Sequence, residues 1–184
     1  MDAALYLSTL KKAYSQSFDL ASDFLAGGKL FSLYGRFNSV GEKYVLTRKA
    51  KLWEVQTNEH LLVLCDDAFS PETLNSLKDL IEKSLEPELV RGGEKYPPEN
   101  HMMTYLSLVI LSEKGFTPEA QEAVKKFSFV KNYLFTFRGR METHVFLVDL
   151  STGAVYFSRA GKPFSGIFSD IYKASLRKSE GEKI

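Results

Sequence analysis

Apolar residues along the chain recur at two spacings, and each spacing predicts one kind of element. Repeats at helical spacing predict helices at residues 3–26, 71–84, 118–127 and 164–177. Alternation and short unbroken apolar runs predict strands at residues 29–37, 43–49, 52–57, 60–65, 102–112, 129–138, 142–150 and 154–159. The expected order is a helix, four strands, a helix, one strand, a helix, three strands and a last helix.

This order predicts an α+β protein with a single mixed, mainly antiparallel sheet and helices packed on it. The strands at 60–65 and 102–112 flank a helix, so we expect them to pair in parallel through a crossover. Glycine and polar clusters predict the breaks between elements. These breaks are Gly27-Gly28 at the end of the first helix, Asn38 to Gly41, Lys49-Ala50-Lys51, Thr57-Asn58 and Ser151-Thr152-Gly153.

A strand–turn–helix pattern occurs twice, at residues 61–80 and 108–127, and the two copies align without a gap. In each copy a hydroxyl residue followed by Pro-Glu predicts a helix start, because the hydroxyl caps free backbone N–H groups and proline fits the first helical position. The identical pairs are Leu61/Leu108, Leu64/Leu111, Phe69/Phe116, Pro71/Pro118, Glu72/Glu119 and Lys78/Lys125. An internal duplication and independent convergence on a common pattern both explain the match.

The 184 residues fit a single domain, 1–184, or two similar halves, 1–85 and 102–178, with a polar, frayed tail at 179–184. Residues 86–101 join the halves, and their glycine and proline pairs predict a mobile surface loop that lines a pocket or partner surface. A passive linker is the alternative.

Composition narrows the class of protein. Hydrophobic residues make up 44% and charged residues 26% of the chain, which is typical of a globular protein. The net charge of +1 gives no overall attraction to nucleic acid or anionic lipid. The N-terminus has no signal-peptide pattern and no apolar run is long enough to span a membrane, so we expect a cytoplasmic protein. The only cysteine, Cys65, lies in an apolar run and is expected to be a buried thiol.

An acidic candidate site follows from the predicted parallel pairing. Asp66, Asp67 and Glu113 come directly after the two parallel strands and before two helices, so they are expected to gather at one edge of the sheet. Three carboxylates suit Mg²⁺ or Ca²⁺, which makes a metal-dependent hydrolase one hypothesis. Carboxylates in these positions also cap helices and interact with the helix dipole, and no metal is assigned.

A basic candidate site suggests nucleic-acid binding through hairpin tips. Its residues are Arg36, Arg48, Lys49, Lys51, Arg138 and Arg140. A solvated rim of ordinary charges is the alternative interpretation. A nuclease motif is poorly matched, since Glu54-Val55-Gln56 has glutamine where lysine is required. His60, His101 and His144 are too widely spaced to predict a zinc site.

The absence of a recognisable catalytic constellation favours a non-catalytic binding or assembly module over an enzyme. The 14 phenylalanines and nine tyrosines favour a protein partner, and a homodimer is expected. Nucleic acid is a less favoured partner, a membrane is not expected, and the sequence indicates no cofactor. The metal-dependent hydrolase and the nucleic-acid binder stay as alternatives.

Overall fold

The computed structural model describes the backbone of residues 1–44 and 51–181 and the side chains of residues 1–39 and 56–179. The helices are α1 (Ala3–Tyr14), α2 (Pro71–Leu80), α3 (Pro118–Lys126) and α4 (Ser165–Gly181). A π-helical segment, Ile81–Val90, continues α2, and a 3-10 segment, Arg159–Phe164, precedes α4. The strands are β1 (Asp19–Ala26), β2 (Lys29–Tyr44), β3 (Lys51–Cys65), β4 (His101–Ser112), β5 (Val130–Asn132), β6 (Arg140–Asp149) and β7 (Val155–Phe157).

All seven strands belong to one sheet in the order β1-β2-β3-β4-β6-β5, and β7 also pairs with β6. The pairs β3–β4 and β4–β6 are parallel, and the others are antiparallel. The predicted α+β class, with a mixed and mainly antiparallel sheet, is confirmed. The expected parallel pairing of the strands on either side of α2 is also confirmed.

Helices cover both faces of the sheet. One core lies under α1 and α4 and includes Leu61 and Val63, while the other lies under α2, α3 and the π-helical segment and includes Leu62. Successive residues of β3 therefore enter opposite cores, as the pleat of a strand requires. A central strand buried on both faces explains the unbroken apolar run that predicted it.

The predicted helix 3–26 is wrong beyond Tyr14. Residues 19–26 form β1, which pairs with β2 from Asp19↔Arg36 to Ala26↔Lys29. Gly27 and Gly28 have φ values of 54° and 77°, and they form a two-residue hairpin loop instead of ending a helix. Both positions need positive φ in such a loop, so the Gly-Gly pair was a hairpin signal that the helical spacing of apolar residues concealed.

Two predicted turns, at Asn38 to Gly41 and at Thr57-Asn58, are wrong because these residues lie inside β2 and β3. The polar segments pair with each other across the strands, Asn38 with Asn58 and Ser39 with Thr57. Two long strands, β2 and β3, therefore replace the four short ones that were expected before α2. The predicted turn Lys49-Ala50-Lys51 falls largely on residues 45–50, which lie outside the described residues.

Residues 86–101 are only partly a loop, which corrects the expectation of a surface loop over the whole segment. Their first part belongs to the π-helical segment, which accommodates Pro87, and residues 91–100 form turns. The predicted strand 129–138 is reduced to β5, because residues 133–139 form a separate loop. At the C-terminus α4 reaches Gly181, so residues 179–181 of the expected frayed tail are helical, and residues 182–184 lie outside the described part of the chain.

The two sequence repeats agree in their helices and differ in their strands. Ser70 and Thr117 cap α2 and α3 as predicted, each accepting from a backbone N–H three residues later. However, Leu61 pairs with Ser107 and not with its aligned partner Leu108, and the two leucines enter opposite cores. Aligned strand positions thus face opposite sides of the sheet, and an internal duplication is not shown.

Within residues 1–44 and 51–181, no helix has both the length and the apolar character needed to cross a membrane.

Candidate ligand-binding site

A pocket of about 350 Å³ lies between the C-terminal end of α1, the start of α4 and the sheet. We call it the α1–α4 pocket. Strands β3, β4 and β6 each contribute one residue to its lining. The lining residues are Ala13, Tyr14, Ser17, Phe18, Glu59, Ser107, Phe146, Phe164, Ile167 and Phe168.

An exposed helix cap and a buried hydrogen bond position the two helices that form the pocket. Asp2 caps α1 by accepting from the Ala4 N–H at 2.7 Å. The hydroxyl of Tyr6, a fully buried residue, donates to the backbone oxygen of Phe168 at 3.0 Å and so joins α1 to the first turns of α4. Burial raises the pKa of Tyr6, and the nearby Tyr14 adds to this effect, so the hydroxyl remains a donor over the whole physiological range.

The walls of the pocket are mainly aromatic. Tyr14 packs edge-on against Phe18 with 4.8 Å between ring centroids, and Phe146 packs against Phe168 at 4.5 Å. Phe164 stacks on the His144 ring at 5.0 Å. Such contacts fix ring positions, so the apolar surface of the pocket is formed in advance of any ligand.

Glu59 places a carboxylate against this apolar surface. Its strand position puts it on the same face as Leu61 and Val63, and Ser107 donates to its Oε1 atom at 2.8 Å. Burial raises the pKa of Glu59, and the Ser107 hydrogen bond opposes that rise. Burial also raises the pKa of Tyr14, and the charge of Glu59, which lines the same pocket, adds to the rise. Among the described side chains, no cation forms an ion pair with Glu59.

His144 lies behind the aromatic wall. It is 2% exposed, and within the described residues its Nδ1 atom is buried without a hydrogen-bond partner. Burial lowers the pKa of His144 to about 4, so the ring is neutral at physiological pH. The other histidines lie elsewhere: His60 bonds to the Tyr34 hydroxyl at 2.7 Å on the opposite face, and His101 donates from Nδ1 to the Arg138 backbone oxygen.

The acidic residues do come together, at the C-terminal ends of the neighbouring strands β3 and β4; this end of the sheet is called the acidic edge. Asp66, Asp67 and Glu113 line a small hollow of about 190 Å³. Asp67 Oδ1 accepts from the Ser112 hydroxyl and the Glu113 N–H, and the latter hydrogen bond is the main cause of the lowered pKa of Asp67. Glu113 Oε1 accepts from the Ala3 N–H at the start of α1.

These hydrogen bonds join the turn after β3 to the end of β4, and the turn after β4 to the start of α1. Among the described residues, no group of three or more His, Cys, Asp or Glu side chains is arranged to hold a metal ion, and the metal-site hypothesis stays a prediction. Cys65 lines the same hollow and is exposed, so the expectation of a buried thiol is wrong. It is the last residue of β3.

The basic candidates are not gathered in one place. Arg36 is on β2, whereas Arg138 and Arg140 flank the start of β6, and strands β3 and β4 lie between. Arg138 pairs with Glu99 at 2.9 Å and Arg140 with Glu142 at 3.5 Å. The side chains of Arg48, Lys49, Lys51 and Glu54 lie outside the described residues, and nucleic-acid binding stays a prediction.

Sequence reasoning missed the α1–α4 pocket. Glu59 and Ser107 are 48 positions apart and meet only because β3 and β4 are parallel neighbours in one particular register. An acidic residue at an inward-facing position of a buried strand was the one available signal, and the incorrectly predicted turn at Thr57-Asn58 obscured it.

The fold and the pocket thus define an α+β protein whose sheet lies between two layers of helices, with one acidic group in an aromatic site. The chain belongs to the family described as a domain of unknown function (DUF8052), whose model matches residues 2–170. The matched region includes every residue that lines the pocket. No curated protein and no solved structure matches the chain.

Proposed function

We propose that this chain is a binding module whose α1–α4 pocket takes a small organic amine with an apolar body. The observation that carries the proposal is the Glu59 carboxylate, which lies in an aromatic pocket without a cationic partner among the described residues. The volume of about 350 Å³ is within the range of small-molecule sites, which combine apolar walls with a few polar groups. The proposal assigns no reaction and no cofactor.

A cationic ligand suits Glu59 better than a neutral one. A carboxylate removed from water loses solvation, and a positive charge on the ligand replaces it. A hydrogen bond to a charged group contributes about 1.3 kcal/mol more than one between neutral groups, which is close to tenfold in affinity. The rings of Tyr14 and Phe18 add cation–π attraction for an ammonium group.

Three probes of the same shape and different charge test the proposal. Phenethylamine, 2-phenylethanol and phenylacetate share an aromatic body and differ in the head group. Saturation-transfer NMR and titration calorimetry should show the amine binding about tenfold more tightly than the alcohol, with the acid weakest. Amine affinity should fall as the pH is lowered through the raised pKa of Glu59, because the protonated acid no longer attracts the ammonium.

Glu59→Gln keeps the shape of the side chain and removes its charge. The variant should bind the amine about tenfold more weakly and the alcohol unchanged. Glu113→Gln is the matched control, since Glu113 lies at the acidic edge and not in the pocket. Equal affinities for all three probes, no detectable binding at millimolar probe, or unchanged amine affinity in folded Glu59→Gln would each contradict the proposal.

A further inference from the structure

The loop formed by residues 133–139, here called the Phe loop, exposes two large aromatic side chains. Phe135 is 94% exposed and Phe137 is 85% exposed. Leu134, Phe135 and Thr136 all have positive φ, at 47°, 52° and 75°. Left-handed backbone is unfavourable for residues with a side chain, and such strain is concentrated where function requires a fixed conformation. In this loop the residues with unfavourable backbone angles are those that hold the phenylalanine rings in solvent.

The Phe loop is held from several sides. The Tyr133 N–H donates to the Gly139 oxygen at 3.0 Å, and the Arg138 N–H donates to the Tyr133 oxygen at 3.1 Å. The buried Tyr133 hydroxyl donates to Glu86, and His101 Nδ1 donates to the Arg138 backbone oxygen, each at 2.7 Å. These hydrogen bonds hold the two ends of the loop in the conformation in which both phenylalanine rings are exposed.

A hollow of about 530 Å³ lies beside the Phe loop. The Phe loop forms part of its wall through Thr136 and Gly139, and Met102, which is 58% exposed, gives it an apolar rim. Met103 and Tyr105 complete the apolar lining. Thr57 and Arg140 also line the hollow. The same loop thus exposes two aromatic rings and forms part of the wall of a mainly apolar hollow.

We propose that a second copy of this chain binds here, with the Phe loop of each copy entering the hollow of the other. A two-fold dimer requires a self-complementary surface, which a projection and a hollow placed side by side provide. Two nearly fully exposed phenylalanines bury roughly 300–400 Å² per copy, close to half of the ~800 Å² per partner of a standard interface. Met102 and Leu134, which is 39% exposed, extend the same apolar surface.

The charges around the Phe loop favour a protein partner over an anionic membrane. Arg138 pairs with Glu99 and Arg140 with Glu142. Lys131 pairs with the buried Glu86. A loop that inserts into anionic lipid is expected to be flanked by cations free to contact head groups, and these three cations are already paired with carboxylates. This interface does not depend on the ligand proposed for the α1–α4 pocket.

Sedimentation velocity across a range of micromolar concentrations tests the dimer. The wild-type protein should sediment as a dimer, and Phe135→Ser/Phe137→Ser should be a monomer with at least a tenfold weaker association. Leu25→Ser/Leu30→Ser is the matched control, because these leucines are 66% and 56% exposed and pair with each other at the far end of the sheet. The control should remain a dimer. Circular dichroism checks that both variants are folded.

A monomeric wild-type protein would overturn the proposal, as would a Phe135→Ser/Phe137→Ser variant that still dimerises. Dissociation of the Leu25→Ser/Leu30→Ser control alone would place the interface on β1 and β2. Co-sedimentation with vesicles of phosphatidylserine and phosphatidylcholine provides a further arm. Binding of a monomer to these vesicles that requires Phe135 and Phe137 would replace the second copy with a membrane.

Discussion

His144 should make the stability of this protein depend on pH well above the range in which carboxylates titrate. The ring is 2% exposed and packs against both Tyr105 and Phe164, with centroid distances of 5.1 and 5.0 Å. Burial lowers the pKa of His144 to about 4, whereas an unfolded histidine has a pKa of about 6.5. The unfolded state thus binds the proton first as the pH falls. Stability from this group is complete above about pH 6.5 and is lost toward pH 4.

The size of the effect follows from the width of that window. Each pH unit in which only the unfolded state is protonated costs about 1.4 kcal/mol, so lowering the pH from about 7.5 to about 5 costs about 2 kcal/mol for His144. Burial and the nearby Arg36 also lower the pKa of His60 to about 4, which adds about 2 kcal/mol over the same range. Replacing His144 by phenylalanine should remove its half of this loss.

Urea unfolding followed by circular dichroism at several pH values measures the difference. Between about pH 7.5 and pH 5, His144→Phe should lose about 2 kcal/mol less unfolding free energy than the wild-type protein. Thr143→Val is the control, because Thr143 Oγ1 is also buried without a partner among the described residues but does not titrate. It should raise stability by a similar amount at every pH. An equal loss in His144→Phe and wild type would refute the reasoning.

Three further predictions concern other parts of the fold. Glu86→Gln should lower the free energy of unfolding at neutral pH by about 3 kcal/mol, because the buried carboxylate pairs with Arg91 and Lys131. The difference from the wild-type protein should shrink as the pH falls through the lowered pKa of Glu86. In urea unfolding, Gly139→Ala should cost about 2 kcal/mol more than Gly28→Ala. Both have positive φ, but only a Cβ at Gly139 meets backbone, the carbonyl group of Met102. If the hydrolase hypothesis holds, Mg²⁺, Mn²⁺ or Ca²⁺ should raise the melting temperature, and Asp67→Ala should abolish the shift.

Sequence reasoning succeeded where the signal was local. The hydroxyl-Pro-Glu starts of α2 and α3 specify helix N-termini through side-chain capping, and both capping contacts are present. The apolar runs of β4 and β6 predicted strands because both faces of those strands are buried. The hairpin turn at 151–153 was also correct, and Gly153 there has a φ of 80°.

Sequence reasoning failed where long-range pairing decides the structure. Asn38 and Asn58 are typical turn residues when the sequence is considered locally, but in the structure they pair with each other across β2 and β3. The π-helical segment is another case, because the buried Glu86 gains its partners Arg91, Lys131 and Tyr133 only in the folded protein. The pocket itself depends on the alignment of β3 with β4 and on α1 and α4 covering the same face. Neither relation is visible in apolar periodicity.

The α1–α4 pocket and the hollow beside the Phe loop are neighbours that share an aromatic wall. Tyr105 lines the hollow, and its ring lies 6.2 Å from Phe164, which lines the pocket. His144 lies against both rings, 5.1 Å from Tyr105 and 5.0 Å from Phe164. In a closely packed wall, a shift of one ring changes the space available to the next. The two binding equilibria are thermodynamically linked. If a ligand in the pocket changes the association constant at the hollow by some factor, association changes the affinity of the pocket for that ligand by the same factor. Measuring amine affinity in the wild-type protein and in Phe135→Ser/Phe137→Ser therefore gives that factor, and equal affinities would show that the two sites are not coupled.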